Sequence, residues 1–154
     1  MKTALLIIDV QECFTQSTSK EFIIAIEALQ TDYSDVFISR FFNYKGSGFI
    51  KHLDWQSCFK DSREFQLAFT PDSKAMVFDK NTYSSFHEKM SDFDEIHICG
   101  LETDACILKT ALDLFEHNIR PVVLSELCCS NGGNNLHQAA LKILQRNIGK
   151  AQVV

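Results

Sequence analysis

One cysteine lies where a strand and a tight turn lead into a predicted helix. The apolar run 96–99 is followed by five turn-forming residues, 100–104, and an amphipathic pattern then begins at Ala105. Thr103 and Asp104 are candidate N-cap residues, so Cys106 is predicted to lie in the first helical turn. Unpaired backbone N–H groups and the helix dipole favour an anion there. The sequence therefore predicts that the pKa of Cys106 is lowered toward the nucleophilic thiolate.

Two further residues could complete an activated thiol. Asp9 ends the first apolar run, and Lys80 directly follows the third. In an open α/β sheet, ligands bind at the carboxyl ends of the strands, so we expect both side chains to lie near Cys106. Asp9 could take the thiol proton, and Lys80 could hold the thiolate. The backbone N–H groups of the turn before Cys106 could stabilise an oxyanion.

Short β-rich runs alternate with amphipathic segments along the chain. Such alternation predicts βαβ units and a three-layer α/β/α fold with a mostly parallel sheet, as a single domain over residues 1–154. Strands are predicted at 3–10, 35–42, 75–79, 95–100, 120–126 and, as a short sixth, 152–154. Helices are predicted at 18–30, 83–89, 104–117 and 134–146.

Composition excludes several classes of function. The chain has 154 residues, a net charge of −5 and no basic run, so no nucleic-acid partner is expected. No apolar stretch approaches the ~20 residues of a membrane span, and no signal peptide is evident, so we expect no membrane partner and a cytoplasmic location. Most of the six cysteines are interpreted as reduced. The scattered histidines and cysteines predict no metal site.

The phenylalanine count is high, at thirteen. Core packing is one interpretation, and an aromatic-walled pocket or a subunit interface is the other. Residues 43–74 are the least regular part of the chain and are interpreted as a surface excursion that could act as a lid.

Three motifs in order resemble the isochorismatase-like cysteine hydrolase superfamily. They are Leu5-Leu-Ile-Ile-Asp9-Val-Gln11-Glu-Cys-Phe14, Lys80-Asn-Thr-Tyr-Ser-Ser85-Phe86 and Ile98-Cys-Gly100-Leu-Glu-Thr-Asp104-Ala-Cys106. The resemblance runs over nearly the whole chain. Members include nicotinamidases, N-carbamoylsarcosine amidase and ureidoacrylate hydrolases.

The resemblance implies a six-stranded parallel sheet and an Asp9–Lys80–Cys106 triad that cleaves a C–N bond through an acyl-enzyme. It also implies a cis peptide at Leu101–Glu102, an oxyanion hole made by the N–H groups of Glu102 and Cys106, and a homo-oligomer (a dimer or tetramer). No cofactor is implied, and the partner would be a small amide or carbamoyl compound. The candidate pocket residues are Gln11, Phe14, Phe41, Tyr83, Phe86 and Leu101.

The chain departs from the family at one motif. Nicotinamidases carry an Asp-x-His metal motif after the second strand, whereas Phe41-Phe42-Asn43 stands here. A metal-dependent nicotinamidase is therefore not expected. True isochorismatases generally lack the cysteine, so Cys106 favours C–N hydrolysis.

Two other classes of function stay open. One is a weak or inactive family member that serves as a binding or assembly module. The other is a flavodoxin-like nucleotide binder, although the loop 130–135 has neither a P-loop nor a GxGxxG spacing.

Overall fold

The computed structural model describes residues 1–154 and contains a five-stranded parallel sheet. The strands lie in the order β3-β2-β1-β4-β5, and their bounds are β1 Thr3–Ile8, β2 Val36–Phe41, β3 Met76–Lys80, β4 Glu95–Leu101 and β5 Arg120–Cys129. The predicted α/β class with a parallel sheet is confirmed. The prediction of six strands is wrong by one: Val153 makes a single bridge to Val123, because a 3₁₀ turn at Lys150–Gln152 leaves too little extended chain.

The central strand β1 is buried on both faces, as its unbroken apolar sequence predicts. Leu6 and Ile8 pack with α3 (Leu108–Glu116) and α4 (Asn134–Ile148) in one core cluster. Leu5 and Ile7 point the other way and share a second cluster with Ile26 of α1 (Lys20–Leu29). Helices therefore cover both faces of the sheet, and the ends of the strands are left to form a site.

Two segments differ from the predicted helices. Residues 83–89 form no α-helix, and a 3₁₀ turn follows at Glu88–Asp92. The Ser84 hydroxyl accepts from the Phe86 N–H, and the Ser85 N–H donates to Thr110, so local polar bonds replace the helical ladder. A short helix, α2 (Gly48–Leu53), lies instead in the region predicted to be irregular.

The cysteines fall into two groups. Cys99, Cys106, Cys128 and Cys129 are free thiols. Cys13 and Cys58 form a disulfide across 45 residues, which corrects the prediction for this pair. The bond links the segment after β1 to residues 55–62, because the fold packs those two segments side by side. No helix combines the length and the apolar character that crossing a bilayer requires.

Candidate active site

Asp9, Lys80 and Cys106 come together at the carboxyl edge of the sheet. Lys80 Nζ lies 2.8 Å from Asp9 Oδ2 and 3.6 Å from Cys106 Sγ. β1 ends just before Asp9, β3 ends at Lys80, and Cys106 follows β4 by five residues. All three side chains are buried, so the ion pair and the thiol interact with little screening by water.

A network of hydroxyl groups holds Asp9 in place. The Ser39 hydroxyl donates to Asp9 Oδ1 at 2.7 Å, and the Ser85 hydroxyl lies 2.9 Å from that of Ser39. The backbone of Asp9 adopts a positive φ of 51°, a conformation that non-glycine residues rarely take. This turn directs the carboxylate toward the strand ends instead of continuing β1.

The ammonium group of Lys80 is fixed by acceptors on the loop after its own strand. Its Nζ donates to the carbonyl oxygens of Thr82 at 2.8 Å and Tyr83 at 3.1 Å. It also lies 5.4 Å from the centroid of the Phe41 ring. These contacts leave Lys80 one orientation, facing Asp9 and Cys106.

Cys106 lies in a π-helical turn, Thr103–Ile107, that precedes α3. The carbonyl oxygen of Glu102 accepts hydrogen bonds from the N–H groups of Ala105 and Ile107, each at 3.1 Å. This shared acceptor closes the turn. The predicted side-chain cap by Thr103 or Asp104 is wrong, because Thr103 lies inside the turn and its hydroxyl contacts His137 Nδ1 at 2.8 Å. The predicted cis peptide at Leu101–Glu102 is confirmed.

The pKa of Cys106 shifts in the direction opposite to the prediction. Burial is the largest of the causes that raise the pKa of its thiol, the charge of Asp9 raises it further, and the charge of Lys80 lowers it. The prediction of a lowered pKa is therefore wrong: the sulfur lies inside the protein beside a carboxylate, where desolvation outweighs the helix end. A raised pKa favours the protonated thiol over the thiolate.

An apolar cavity of about 170 Å³ opens onto Cys106. Five aromatic side chains line most of it, namely Phe14, Phe41, Phe49, Trp55 and Tyr83. The rings contact one another: Phe14 stacks on Trp55 at 5.7 Å, and Phe49 meets Tyr83 edge-on at 5.2 Å. Part of the phenylalanine excess therefore forms a pocket wall.

Three of the six candidate pocket residues line this cavity, and three do not. Phe14, Phe41 and Tyr83 line it. Gln11 is buried next to the backbone of Phe41. Its side-chain amide nitrogen donates to the carbonyl of Phe41, and its side-chain oxygen accepts from the Phe41 N–H. Phe86 stacks on His117, with ring centroids 4.2 Å apart, and Leu101 is buried in the core cluster on the α1 face. These three predictions are corrected: Gln11 and Leu101 are fully buried and Phe86 packs on His117, so none of them lines the cavity.

The sequence reasoning missed the pocket residues supplied by residues 43–74. Phe49 and Leu53 of α2, and Trp55 just after it, close one side of the cavity. The aromatic residues themselves were a signal, but no local pattern shows which sheet edge an irregular segment covers.

Glu102 also borders the cavity, and its carboxylate is tied to the loop after β5. Asn131 donates to it through both its backbone N–H and its side-chain amide, and the same amide donates to the carbonyl of Phe14 at 2.8 Å. Burial raises the pKa of Glu102, while the bonds from Asn131 lower it. Asn131 thus joins the turn before Cys106 to the aromatic wall.

Comparison with known proteins places the chain in a family. The model of the isochorismatase domain family matches residues 3–152, and the chain belongs to that family. A curated relative is mouse isochorismatase domain-containing protein 2B, 31% identical over 61 residues, which are 40% of this chain and only 29% of that protein.

Solved structures share the fold. The pyrazinamidase/nicotinamidase of Streptococcus mutans superposes with a TM-score of 0.82 at 21% identity, covering 99% of both chains. The pyrazinamidase of Pyrococcus horikoshii in complex with zinc superposes with a TM-score of 0.85 at 15% identity, covering 100% of this chain and 99% of the other. N-carbamoylsarcosine amidase of Thermoplasma acidophilum superposes with a TM-score of 0.76 at 20% identity, covering 99% of this chain and 95% of the other.

The residues at the family's metal-motif positions do not fit a zinc ion in this chain. The ring of Phe41 offers no lone pair to a metal. The side-chain oxygen of Asn43 already accepts from the Tyr44 N–H at 2.9 Å and from the Ser47 hydroxyl at 2.6 Å. This polar cluster supports α2 instead of opening into the cavity.

Proposed function

We propose that this protein is a cysteine amidohydrolase that cleaves the C–N bond of a small amide or carbamoyl compound through an acyl-enzyme at Cys106. One observation carries the proposal: a buried Asp9–Lys80 ion pair lies beside Cys106 Sγ at the end of an apolar cavity. Relatives of the same fold named as nicotinamidase, pyrazinamidase and carbamoylsarcosine amidase support amide chemistry.

The first half of the reaction forms the acyl-enzyme. Asp9 accepts the proton of the Cys106 thiol while sulfur bonds to the substrate carbonyl carbon. The N–H groups of Glu102 and Cys106 stabilise the resulting oxyanion. Asp9 then gives its proton to the nitrogen, the C–N bond breaks, and ammonia or an amine leaves. The raised pKa of Cys106 suits this order, because a protonated thiol must give up its proton to a base as sulfur attacks.

The second half releases the acid. Asp9 takes a proton from a water molecule, and the hydroxide bonds to the thioester carbon. The C–S bond breaks, sulfur recovers the proton, and a carboxylic or carbamic acid leaves. Lys80 holds Asp9 in position through their 2.8 Å contact.

Replacing the nucleophile tests the proposal. In a screen of small amides, Cys106→Ala should abolish hydrolysis, and Cys129→Ala, which removes a half-buried thiol at the end of β5, should retain it. Intact-mass spectrometry of the unmodified protein should show an acyl adduct that Cys106→Ala lacks. Unchanged turnover in Cys106→Ala would overturn the mechanism. A folded protein that hydrolyses nothing would favour the binding or assembly module.

A further inference from the structure

A threonine on α3 links the backbone of Cys106 to the loop that follows β3. The Thr110 hydroxyl donates to the carbonyl oxygen of Cys106 at 2.6 Å and accepts from the Ser85 N–H at 2.8 Å. Thr110 and Ser85 are both fully buried, and neither lines the cavity at Cys106. Because water is excluded there, loss of either bond would leave a buried polar group unsatisfied. The two bonds therefore hold the nucleophile's turn against residues 81–85.

Ser85 also reaches the carboxylate of Asp9. Ser39 has a single hydroxyl proton, which it donates to Asp9 Oδ1 at 2.7 Å. The Ser85 hydroxyl lies 2.9 Å from that of Ser39 and must therefore be the donor of this second bond. Ser85 is thus a donor in both directions: its hydroxyl donates toward the base, and its N–H donates toward the nucleophile.

The same loop holds the third residue of the proposed triad. The carbonyl oxygens of Thr82 and Tyr83 accept from Lys80 Nζ at 2.8 and 3.1 Å. Residues 82–85 accordingly contact the cation directly, the base through the Ser39 hydroxyl and the nucleophile through the Thr110 hydroxyl. One short segment therefore sets the relative positions of all three groups.

We infer that Ser85 and Thr110 are positioning residues that set the distance between the Asp9 carboxylate and Cys106 Sγ. The inference rests on the proposed function, in which this carboxylate takes the proton of this thiol. Proton transfer requires the two groups to lie within hydrogen-bond reach. A displacement of about 1 Å costs up to roughly 100-fold in rate, so a buried link between the two segments controls kcat without touching the substrate.

Thr110→Val tests the link, because valine keeps the branched shape and lacks the hydroxyl. It should lower kcat by about tenfold or more and leave KM within about twofold, since residue 110 lies outside the cavity. Thr110→Ser retains the hydroxyl and should restore kcat to within about threefold of the unmodified protein. Thr31→Val is the matched control, because the Thr31 hydroxyl donates to the carbonyl of Ala28 at the exposed end of α1, and it should change neither constant. A loss of kcat that Thr110→Ser fails to restore, or a rise in KM at constant kcat, would overturn the inference.

A double-mutant cycle tests whether Ser85 joins the two ends. The hydroxyls of Ser39 and Thr110 do not bond to each other, and each bonds to Ser85. Independent sites would multiply two tenfold losses to about 100-fold in Ser39→Ala/Thr110→Val, whereas members of one network fall short of that product. We expect the double variant to lose about as much kcat as either single variant. Losses that multiply would contradict the link through Ser85.

Circular dichroism establishes that each variant is folded. If Thr110→Val does not fold, Thr110→Ala takes its place in the cycle with the same expected result, and Thr110→Ser remains the variant that keeps the hydroxyl.

Alkylation of Cys106 separates this inference from the proposed function. Iodoacetamide reacts with the thiolate, so its rate at Cys106, followed by peptide mapping, reports proton removal without amide turnover. Thr110→Val should slow this rate by about threefold or more relative to Cys129 in the same molecule, and Thr110→Ser should not. Equal or faster alkylation in Thr110→Val would show that Thr110 does not position the thiol against its base.

The two proposals then fail in different ways. If no amide is hydrolysed but the alkylation pattern holds, the proposed function fails and the positioning role stands. If Thr110→Val hydrolyses amides through Cys106 with unchanged kcat, the positioning role fails and the amidohydrolase stands.

Discussion

Gly100 of β4 lies directly against the backbone of Ile8, the last residue of β1. A Cβ atom on Gly100 would stand 2.2 Å from the Ile8 carbonyl oxygen, and the φ of Gly100 is +119°. This close approach of two backbones sets the spacing between the strand end that carries Asp9 and the strand that leads to Cys106. Only glycine fits both the conformation and the space.

Gly100→Ala is expected to destabilise the fold and the site together. The clash is with backbone atoms, so the strands must separate, and the free energy of unfolding should fall by about 2 kcal/mol or more. Urea unfolding followed by circular dichroism measures the loss. Gly48→Ala is the matched control. A Cβ atom at Gly48 would lie 3.8 Å from the nearest side-chain atom, which belongs to His52, and alanine favours a helix. Equal stability of the two variants would contradict this account of Gly100.

Ser39→Ala is expected to lower kcat by about tenfold or more while KM changes little. The hydroxyl contacts Asp9 and not the cavity, so its loss disturbs the orientation of the base and not substrate binding. Steady-state kinetics on any amide the protein hydrolyses gives the two constants. Ser125→Ala, whose hydroxyl bonds to the chain end at Val154, is the control. A rise in KM at constant kcat would show that Ser39 does not act by positioning Asp9.

Lys80→Met is expected to cost about 3–5 kcal/mol of stability. Asp9 is 1% exposed and would keep a buried carboxylate without its cation. Lys109→Met removes the cation of an exposed i,i+4 pair with Asp113, and should cost only about 0.3–0.5 kcal/mol. Chemical denaturation of both variants supplies the comparison. Losses of similar size would mean that the Asp9–Lys80 pair is solvated more than its burial indicates.

Stability is expected to fall as the pH rises above about 9. Burial raises the pKa of Cys99 to about 12 and that of Cys129 to about 11, from an ordinary value of 9.0. Between these values the unfolded chain has lost thiol protons that the folded chain retains, so the free energy of unfolding decreases with pH. The contribution is fully present below pH 9 and is lost as the pH approaches the raised values.

Urea unfolding at pH 8 and pH 10 tests this dependence. Cys99→Val keeps a buried apolar side chain and removes one titrating thiol, so its stability should fall less between the two pH values. The same decrease in both proteins would assign the alkaline loss to other groups.

Much of the framework was predictable from local patterns. Apolar runs that end in Asp9 and Lys80, and a turn before Cys106, identify the ends of parallel strands, and such ends meet at one edge in any sheet of this class. The single domain, the homo-oligomer and the cytoplasmic location stay predictions.

The tertiary structure alone decided the character of the site. Residues 43–74 carry no periodic pattern, yet α2 and Trp55 form a wall of the cavity, because long-range packing against Phe14 and Phe41 places them there. The pKa of Cys106 likewise depends on depth of burial and on a carboxylate 97 positions away in the chain. Sequence spacing specifies which groups reach the sheet edge, whereas desolvation and cavity shape arise only when distant segments pack around them.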